Sequence, residues 1–465
     1  MADGQFSPPS VVRVPKQPAD RLFMPELLLV GPELHEDWAV LARGGLIARV
    51  GPSEQLTRAN PEATIEQLPR CLLMPGTVNG HSHSFQSLLR GVADDLAFTE
   101  WRAQLYQRAP EFDAEAVYTA ALMAFGQMLL AGVTTVCDFF YLHHGGIEFD
   151  LAVISAAAEL GIRLVLVRSM LDWAEAPAAF RETTPQAVAN TRQLAAAVQG
   201  WGRTTVLPGP HSPHAASIEM IRAGAALAKE WDVPWHMHVA EARYEVDALR
   251  AITGRSPVAW LAKEGLLDSR LQVVHGVWVE PAEIEMLAGA KSGLVHCPGA
   301  NLFLGDGLAP LAAYLAAGVS CALGCDSGSA NSQLAVIHEA RLAALLAKGT
   351  GGSSTAVTSA HALQMATAAG AAATGLPIGV LETGSAADMI AIDLDDLSMQ
   401  PAANPLNNVV YSMELSAIRH VFVAGEPTVR NRQLVRRSEK SIVEQYRRLQ
   451  EATPGPPMSA AVASR

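Results

Sequence analysis

The central part of the chain alternates short apolar runs with longer segments of helical period. Runs rich in Val, Ile and Leu recur from about residue 71 to about residue 375, and between them apolar residues repeat every three to four positions. This alternation predicts strand–helix units wound around a parallel sheet. The expected strands cover residues 72–78, 133–140, 162–168, 204–210, 233–239, 271–275, 293–297 and 319–325. Eight such units predict an α/β fold of the (β/α)8 TIM-barrel type.

Helical periods separate most of these strands, and the pattern changes outside them. The expected helices cover residues 114–131, 151–160, 187–198, 218–231, 281–288 and 334–347. Towards both chain ends, apolar and polar residues alternate with a period of two, as is typical of antiparallel strands. These alternating segments are residues 26–50, 388–393 and 418–425.

The two patterns together predict the domain organisation. We expect a small β-sandwich domain built from both chain ends, residues 21–70 and 376–440, with the barrel of residues 71–375 inserted between them. Residues 1–20 are rich in Pro and polar residues, and we expect them to be disordered. Residues 441–465 are expected to form a C-terminal helix followed by a disordered tail.

Composition narrows the classes of partner. The 34 Lys and Arg residues against 46 Asp and Glu give a net charge of −12, and because no basic cluster occurs we expect no nucleic-acid partner. No run of about 18 apolar residues occurs, so we expect no membrane partner. Five Cys residues without a Cys-x-x-Cys pair indicate a reducing compartment, and we expect a cytoplasmic protein.

Two histidines stand two positions apart just after the first apolar run of the barrel. On an extended backbone His81 and His83 project to the same side. Each neutral ring must satisfy one donor and one acceptor, which apolar packing cannot do. Such a pair alone is more often a surface or hydrogen-bonded pair than a pair of metal ligands. Whether the pair binds a metal therefore depends on residues elsewhere in the chain.

The remaining polar outliers follow other predicted strands. His238 ends the fifth strand with Glu241 three residues later, His275 ends the sixth, and Asp326 follows the eighth. Each alone is readily explained as a satisfied core histidine or a helix-capping aspartate, but a barrel places its active site at these strand ends. Three imidazoles and one carboxylate, with a position left for water, suit Zn²⁺ in a catalytic site. Iron or manganese would fit almost as well.

These residues carry a resemblance to the amidohydrolase superfamily. The chain resembles its branch of metal-dependent deaminases and s-triazine hydrolases, which includes guanine deaminase, S-adenosylhomocysteine deaminase and formiminoglutamate deiminase. Further similar motifs are Leu89-Arg-Gly-Val-Ala-Asp-Asp-Leu, Gly209-Pro-His-Ser-Pro, Asn301-Leu-Phe-Leu-Gly-Asp-Gly and Ala386-Ala-Asp-Met-Ile-Ala-Ile-Asp. The motifs are highly specific for the superfamily and much less specific for the substrate.

The resemblance implies roles for the polar residues. His81, His83, His238 and Asp326 are expected to bind one divalent metal, Zn²⁺ first and Fe²⁺ second. Asp326 would accept a proton from water that the metal acidifies. Of the catalytic residues, Glu241 would shuttle protons and His275 would orient or polarise the attacked group. Binuclear relatives carry a bridging Lys or Glu at the fourth strand, and residues 204–211 contain neither, so we expect a single metal.

Residues near the motifs suggest one kind of substrate. Gln86, Arg102 and Tyr141 resemble the residues with which formiminoglutamate deiminase holds the carboxylates of a formimino amino acid. A further carboxylate-binding Arg of that group corresponds to His214 here. Simpler explanations exist for two of them: Arg102 beside Trp101 can be a solvated arginine lying over an aromatic ring, and Tyr141 can belong to a polar rim.

Other residues suggest a different substrate. The segment that begins at Ser327 is closer to nucleoside and aminopurine deaminases, and His211 and Arg168 resemble residues that contact the ring in the S-adenosylhomocysteine group. We therefore expect His211, His214 and Arg168, together with Gln86, Arg102 and Tyr141, to contact a small-molecule substrate. The resemblance also implies a homodimer.

Three hypotheses follow for function. The first is a metal-dependent hydrolase acting on a non-peptide C–N bond, either a deaminase of an aminated heterocycle or an iminohydrolase of a formimino or guanidino compound, releasing ammonia. The second is a triazine hydrolase that releases chloride or an alkylamine by the same chemistry. The third, a non-catalytic metal-binding or ligand-binding barrel, would require an incomplete set of site residues, and none is missing.

Overall fold

The computed structural model describes residues 19–452. Disorder was predicted for residues 1–20 and for the C-terminal tail, and of these residues 1–18 and 453–465 lie outside the described residues. Residue 20 is described, and its carbonyl accepts from the Thr64 N–H at 2.8 Å. In chain order the strands are β1 (Arg21–Val30), β2 (Glu33–Glu36), β3 (Trp38–Arg43), β4 (Leu46–Pro52), β5 (Thr64–Pro75), β6 (Thr77–His83), β7 (Val133–Phe140), β8 (Arg163–Met170), β9 (Thr204–Pro210), β10 (Trp235–Val239), β11 (Leu271–His275), β12 (Gly293–His296), β13 (Cys321–Leu323), β14 (Asp326–Ser327), β15 (Met389–Asp393), β16 (Ile418–Val423), β17 (Glu426–Arg430) and β18 (Gln433–Leu434).

Helices alternate with the strands of the central segment, as the helical periods predict. They are α1 (Ser53–Ala59), α2 (Phe98–Arg108), α3 (Ala114–Leu130), α4 (Glu148–Leu160), α5 (Thr184–Ala197), α6 (Ile218–Trp231), α7 (Arg243–Thr253), α8 (Pro257–Lys263), α9 (Pro281–Ala290), α10 (Pro298–Phe303), α11 (Leu311–Ala316), α12 (Val336–Gly351), α13 (Ser359–Ala366), α14 (Ala368–Thr374), α15 (Pro405–Tyr411) and α16 (Glu439–Ala452). Short 3-10 helices cover Ser84–Leu89, Ala109–Glu111, Ala178–Phe180, Leu397–Met399 and Leu415–Ala417. Within residues 19–452, every helix is too short or too polar to cross a bilayer.

Strands β6 to β14 form the predicted (β/α)8 barrel. They make two parallel hydrogen-bonded sheets, ordered β14-β6-β7-β8-β9 and β10-β11-β12-β13. Only two residues separate β13 from β14, so one strand pairs with β12 through Cys321 and with β6 through Asp326. On the opposite side, the His238 N–H donates to the His211 carbonyl at 3.0 Å. These two links join the sheets into one closed wall.

Close approach of the first and eighth barrel strands requires a residue without a side chain. A Cβ placed on Gly80 would lie 3.0 Å from both the Leu323 carbonyl and the Val295 side chain. Glycine therefore lets β6 pack tightly beside β13, and His81 and His83 follow directly on the same strand. Every residue of β6 is buried.

The first barrel strand begins later than predicted. The apolar run that suggested a strand at residues 72–78 is divided, because residues up to Pro75 belong to β5. Strand β5 pairs with β1 and β15 in the second domain, and β6 starts at Thr77, after Gly76. Both strands are apolar and buried, so periodicity could not separate them. The prediction of a single strand here was wrong.

Outside the barrel, nine strands from both parts of the chain form one sheet. Its order is β18-β17-β16-β15-β5-β1-β3-β4, with β2 paired to β1. The sheet folds as a β-sandwich over a separate apolar core that includes Phe23, Leu73 and Phe422. The rings of Phe23 and Phe422 meet edge to face at 4.9 Å between centroids. Strand β5 leads directly into β6 and so connects this domain to the first histidine pair.

Candidate active site

Three histidine side chains converge at the carboxyl end of the barrel. The Nε2 atom of His238 lies 3.2 Å from that of His81 and 3.4 Å from that of His83. Nitrogen ligands held about 2.0–2.1 Å from Zn²⁺ at tetrahedral angles lie roughly 3.3 Å from each other. The spacing of the three rings therefore matches a shared tetrahedral cation.

The main chain fixes which ring nitrogens face this point. The Nδ1–H of His83 donates to the Phe139 carbonyl at 2.5 Å, and the Nδ1–H of His238 donates to the His211 carbonyl at 2.8 Å. A carbonyl can only accept, so the proton of each neutral ring lies on Nδ1 and the Nε2 lone pair faces the cavity. Hydrogen bonds of this kind orient the histidine ligands of metal sites.

Burial keeps these rings neutral, which is the form that binds metal. It lowers the pKa of His83 to about 3 and that of His238 to about 4, and it holds the pKa of His81 well below its usual value. Two neutral rings with lone pairs facing each other repel unless a cation lies between them. The fit of the site to a cation thus rests on its donors, and not on position alone.

Asp326 completes the donor set from the eighth strand. Its Oδ1 atom lies 3.6 Å from His83 Nε2 and 4.0 Å from His81 Nε2. The residue has a φ of +58°, and the Ser82 hydroxyl donates to its carbonyl at 2.9 Å. Burial, with Asp306 nearby, raises the pKa of Asp326 to about 7. A bound divalent cation would reverse this shift and keep the carboxylate ionised.

Glu241 and His275 face the same point from the neighbouring strand ends. Glu241 Oε1 lies 3.4 Å from His275 Nε2, and both side chains are buried. Burial first, and then the carboxylates of Asp306 and Glu245, raise the pKa of Glu241 well above its usual value. His275 has a φ of +73°, a conformation that is strained for a residue other than glycine. A carboxyl whose pKa is raised, and which therefore favours its protonated form more than an exposed glutamate does, lies beside the donor set.

A cavity that is open to solvent at one end lies against these groups, and its empty volume, with the solvent opening included, is about 530 Å³. Five of the six predicted substrate residues line the cavity, namely Gln86, Arg102, Tyr141, His211 and His214. Its other lining residues include Phe98, Trp101, Leu105, Tyr106, Tyr244, Glu245 and Leu304.

A chain of hydrogen bonds determines in which direction the hydroxyl of Tyr141, one of the predicted substrate contacts, donates its proton. The Ser329 hydroxyl donates to Gln86 Oε1 at 2.8 Å, and Gln86 Nε2 donates to the Tyr141 hydroxyl oxygen at 2.6 Å. Because Tyr141 accepts from Gln86, its own proton is available to the cavity. Burial raises the pKa of Tyr141 well above its usual value, so the hydroxyl stays a donor.

Arg102 lies among aromatic rings at the outer end of the cavity. Its guanidinium carbon lies 5.3 Å from the centroid of Trp173 and within 6 Å of the Tyr106 and Tyr244 centroids. Its one side-chain hydrogen bond among the described residues is to the Tyr244 hydroxyl, at 3.1 Å. No carboxylate in residues 19–452 lies within ion-pair distance of it. The guanidinium is therefore available to an anionic or hydrogen-bond-accepting ligand.

His214 and Glu245 form the opposite side of this outer end. His214 Nε2 lies 3.4 Å from Glu245 Oε1, and Ser212 Oγ lies between the rings of His214 and His211 at 3.4 and 3.1 Å. Burial lowers the pKa of His214 to about 4, so the ring is neutral at physiological pH. Burial also raises the pKa of Glu245 to about 7. The outer end thus offers ring nitrogens and a carboxyl beside one cation.

Arg168 is the predicted substrate residue that the structure keeps out of the cavity. Its buried guanidinium contacts Glu182 Oε2 at 2.7 Å, Asp150 Oδ1 at 3.3 Å and the Gly146 carbonyl at 2.9 Å. These partners belong to the segments after β7 and β8. A polar residue at a strand end can face neighbouring segments as well as the barrel mouth, and sequence position does not distinguish the two. The expected substrate contact is replaced by an ion-pair network.

Sequence reasoning missed three residues of the site. Glu245 lies four positions after Glu241, and this helical spacing could have placed both carboxyls on one face. The neighbouring Tyr244 carries no such signal. Asn301, whose amide lies 3.1 Å from His275 Nδ1, stands in the motif of residues 301–307, and the resemblance implied no role for it.

Comparisons with known proteins find a matching family and similar sequences. The amidohydrolase family matches residues 72–428 of the chain. The 5'-deoxyadenosine deaminase of Methanopyrus kandleri is 34% identical over 425 residues, covering 90% of this chain and 95% of that protein. The 5-methylthioadenosine/S-adenosylhomocysteine deaminase of Moorella thermoacetica is 35% identical over 380 residues, covering 81% of this chain and 86% of that protein.

Solved structures share the same architecture. An adenosine deaminase from Xanthomonas campestris with bound zinc aligns with a TM-score of 0.86 at 29% identity, covering 94% of this chain and 99% of that one. An atrazine chlorohydrolase from Arthrobacter aurescens, solved with zinc, aligns with a TM-score of 0.85 at 24% identity, covering 92% and 99%. At that identity the second similarity concerns the fold alone.

Proposed function

The chain belongs to the amidohydrolase family, and we propose that it is a hydrolytic deaminase of a small aminated heterocycle, releasing ammonia. The observation that carries the proposal is the position of Glu241, a carboxyl with a raised pKa beside three converged imidazoles. Hydrolysis of an amidine-like carbon needs a nucleophilic water on one side and a proton donor for the nitrogen on the other. The cavity offers both at one place.

The cation of this site would be held by His81, His83, His238 and Asp326. Zn²⁺ is the first candidate because three imidazoles and one carboxylate are its usual catalytic ligands, and Fe²⁺ is the second. A divalent cation bound there makes water acidic enough to act as a nucleophile at neutral pH. Asp326, kept ionised beside such a cation, would accept one proton of this water.

Glu241 moves the second proton of the reaction. The water oxygen forms a bond to the carbon that bears the amino group, and Glu241 protonates the adjacent ring nitrogen. The C–N bond then breaks: the proton held by Asp326 passes to the departing amine, which leaves as ammonia, and the hydroxyl proton left on the carbon returns to Glu241. Both protons of the water are thus transferred, and the product carries a carbonyl in place of the amine. A ring nitrogen of His275 would orient or polarise the group attached to the same carbon.

The rest of the cavity supports a planar substrate with an accepting or anionic group at its outer end. Tyr141 offers a hydroxyl proton near the reacting carbon, and His211 offers a ring face. Arg102, which contacts no carboxylate of the described residues, supports pairing with a negative group of the substrate. The relatives act, by name, on 5'-deoxyadenosine and on methylthioadenosine and S-adenosylhomocysteine, so an adenosine-type heterocycle is the first candidate.

A second candidate is the iminohydrolysis of a formimino compound that bears carboxylates. It is favoured by the same unpaired guanidinium, because a neutral nucleoside leaves Arg102 without a charged partner. Gln86 and Tyr141 supply neutral donors on the same wall. The two candidates share the metal and Glu241 and differ only at the outer end.

Purified protein loaded with zinc should be assayed for ammonia release from adenosine derivatives, aminopurines, pterins, s-triazines and formiminoglutamate. Release from a heterocycle supports the proposal, and release only from the formimino compound supports the second candidate. Chloride or alkylamine without ammonia would identify a triazine hydrolase. Silence across the panel, with one equivalent of metal bound, would overturn the proposed function. The Asp326→Asn protein serves as the inactive control.

A further inference from the structure

A buried amide lies between His275 and a buried carboxylate. Asn301 Nδ2 lies 3.1 Å from His275 Nδ1 and 3.4 Å from Asp306 Oδ2. Asn301 is 1% exposed and Asp306 is 5% exposed, so water competes little for these contacts. The Asn301 Oδ1 atom has no hydrogen-bond partner within the described chain. The amide nitrogen thus contacts both His275 and Asp306, whereas the amide oxygen contacts neither of them as a hydrogen-bond partner.

A turn of the backbone brings Asp306 back beside Asn301. The Asp306 N–H donates to the Asn301 carbonyl at 2.9 Å, which closes the loop between them. Gly305 has a φ of +73°, a conformation that glycine adopts without strain. The Trp278 indole donates to the Asp306 carbonyl at 2.6 Å and holds the turn against the segment after β11. The contact is therefore built into the fold.

The carboxylate decides which way the amide faces. With the amide reversed, Asn301 Oδ1 would face Asp306 Oδ2, and two acceptors would repel. The amide nitrogen therefore points to this side and donates to His275 Nδ1. A nitrogen that accepts a hydrogen bond carries no proton, so the single proton of the neutral imidazole lies on Nε2.

We infer that Asn301 and Asp306 are positioning residues that hold the His275 proton on Nε2, facing Glu241 and the reacting carbon. This inference rests on the proposed function, in which His275 acts as a hydrogen-bond donor. It also separates His275 from the other histidines: His83 and His238 have their protons on Nδ1 and present a lone pair, whereas His275 presents a proton. A protonated nitrogen cannot bind a cation, so His275 stays outside the ligand set although its ring lies among the other rings.

The tautomer can be read directly in the zinc-loaded enzyme. Protein labelled with ¹⁵N-histidine should be examined by long-range ¹H–¹⁵N correlation at pH 8.5, above the value of about 7 to which burial raises the pKa of Asp306. The His275→Gln protein identifies the signal of His275. We expect a neutral ring with its proton on Nε2. A proton on Nδ1 in the unaltered enzyme would overturn the inference whatever the activity is.

Two variants test the cause of this tautomer. Asn301→Leu removes the donor, and Asp306→Asn keeps the volume but removes the charge that orients the amide. We expect each to shift the signal of His275 towards the other tautomer and to lower kcat by about 10- to 100-fold, with KM changed less than about twofold and metal content unchanged. The exposed Asn407→Leu protein is the control for loss of an asparagine amide.

The outcomes separate this inference from the proposed function. If Asn301→Leu and Asp306→Asn both keep the Nε2 tautomer and full kcat, the positioning role is wrong. If no protein in the series releases ammonia but the tautomer still depends on Asn301, the inference about the ring stands and the proposed function fails. Should Asn301→Leu not fold, Asp306→Asn decides alone, because it preserves the packing of the turn.

Discussion

The inner and outer ends of the cavity are held in place in different ways. At the inner end, His83 and His238 project from strands, and main-chain carbonyls fix their rings. At the outer end, Arg102, His214 and Glu245 come from helices and loops and contact other side chains at 3.1 to 3.4 Å. The chemistry thus depends on the strands of the barrel, whereas substrate choice depends on segments that can change without disturbing those strands.

Removal of the cation should have the largest effect, because it disables the inner end. Treatment with a chelator is expected to bring ammonia release below detection, and one equivalent of Zn²⁺ should restore it. Metal content by mass spectrometry and activity would be measured on the same samples. The His214→Gln protein, altered only at the outer end, should keep its metal. Full activity of metal-free protein would contradict the site assignment.

The Glu241→Gln change should lower kcat by about 10²- to 10⁴-fold, because it removes the proton carrier and leaves the ligands in place. Metal content should not change. Glu245→Gln, four residues further along the chain, is the matched comparison from the outer end and should alter KM more than kcat. Equal losses of kcat in the two proteins would show that the two ends are not separable. Steady-state kinetics on the best substrate of the panel measures both parameters.

The Arg168→Met change tests the structural role of a residue that lies at neither end of the cavity. Removing the guanidinium leaves the buried Glu182 carboxylate without its cation and Asp150 with His143 alone, so the free energy of unfolding should fall by about 3–5 kcal/mol. Urea unfolding of the zinc-loaded protein measures this loss. An unchanged stability with a raised KM would instead return Arg168 to the role of a substrate contact.

Arg102→Met should affect substrates selectively. For a substrate with a negative group, KM should rise roughly 10- to 100-fold, as expected for the loss of a charge-assisted hydrogen bond, with kcat little changed. For a neutral nucleoside, KM should remain within about twofold. The ratio of the two KM changes is the measurement. A uniform rise for both kinds of substrate would show that Arg102 acts through packing on its aromatic neighbours.

The smallest effect is expected from pH on metal already bound. Because burial lowers the pKa of His83 to about 3 and that of His238 to about 4, these rings stay neutral and keep their lone pairs as the solution becomes acidic. Metal content should be constant from about pH 8 to about pH 5 and fall as the pH passes about 4. In the stripped protein, the pKa of Asp326 near 7 predicts weaker rebinding below that pH. Dialysis at each pH tests both expectations.

The inner end of the cavity was largely predictable from the sequence, because each ligand directly follows an apolar strand and a barrel brings all strand ends to one face. Arg168 satisfies the same rule and yet faces a carboxylate of the segment after β8. Asn301 follows no strand directly, and its partner His275 comes from another unit of the barrel. The position of a residue in the sequence predicts at which strand end its side chain lies, but not which side chain from another part of the chain contacts it.

The first barrel strand shows the same limit for the backbone. Apolar residues continue from β5 across Gly76 into β6, and both strands are buried, although they belong to different sheets. The period of the apolar residues does not show where the chain passes from one sheet to another. The strands at residues 133–140, 204–210 and 271–275 were predicted with their observed bounds.

The divided eighth strand makes closure of the barrel and completion of the donor set a single event. Asp326 reaches the histidines only when β14 pairs with β6, a contact that joins residues 244 positions apart through Ser82. An unclosed chain would hold its histidines without their carboxylate and would bind a cation weakly. Tight uptake of metal during refolding would therefore report the moment at which the two ends of the barrel meet, and added zinc should favour that late step over competing collapsed states.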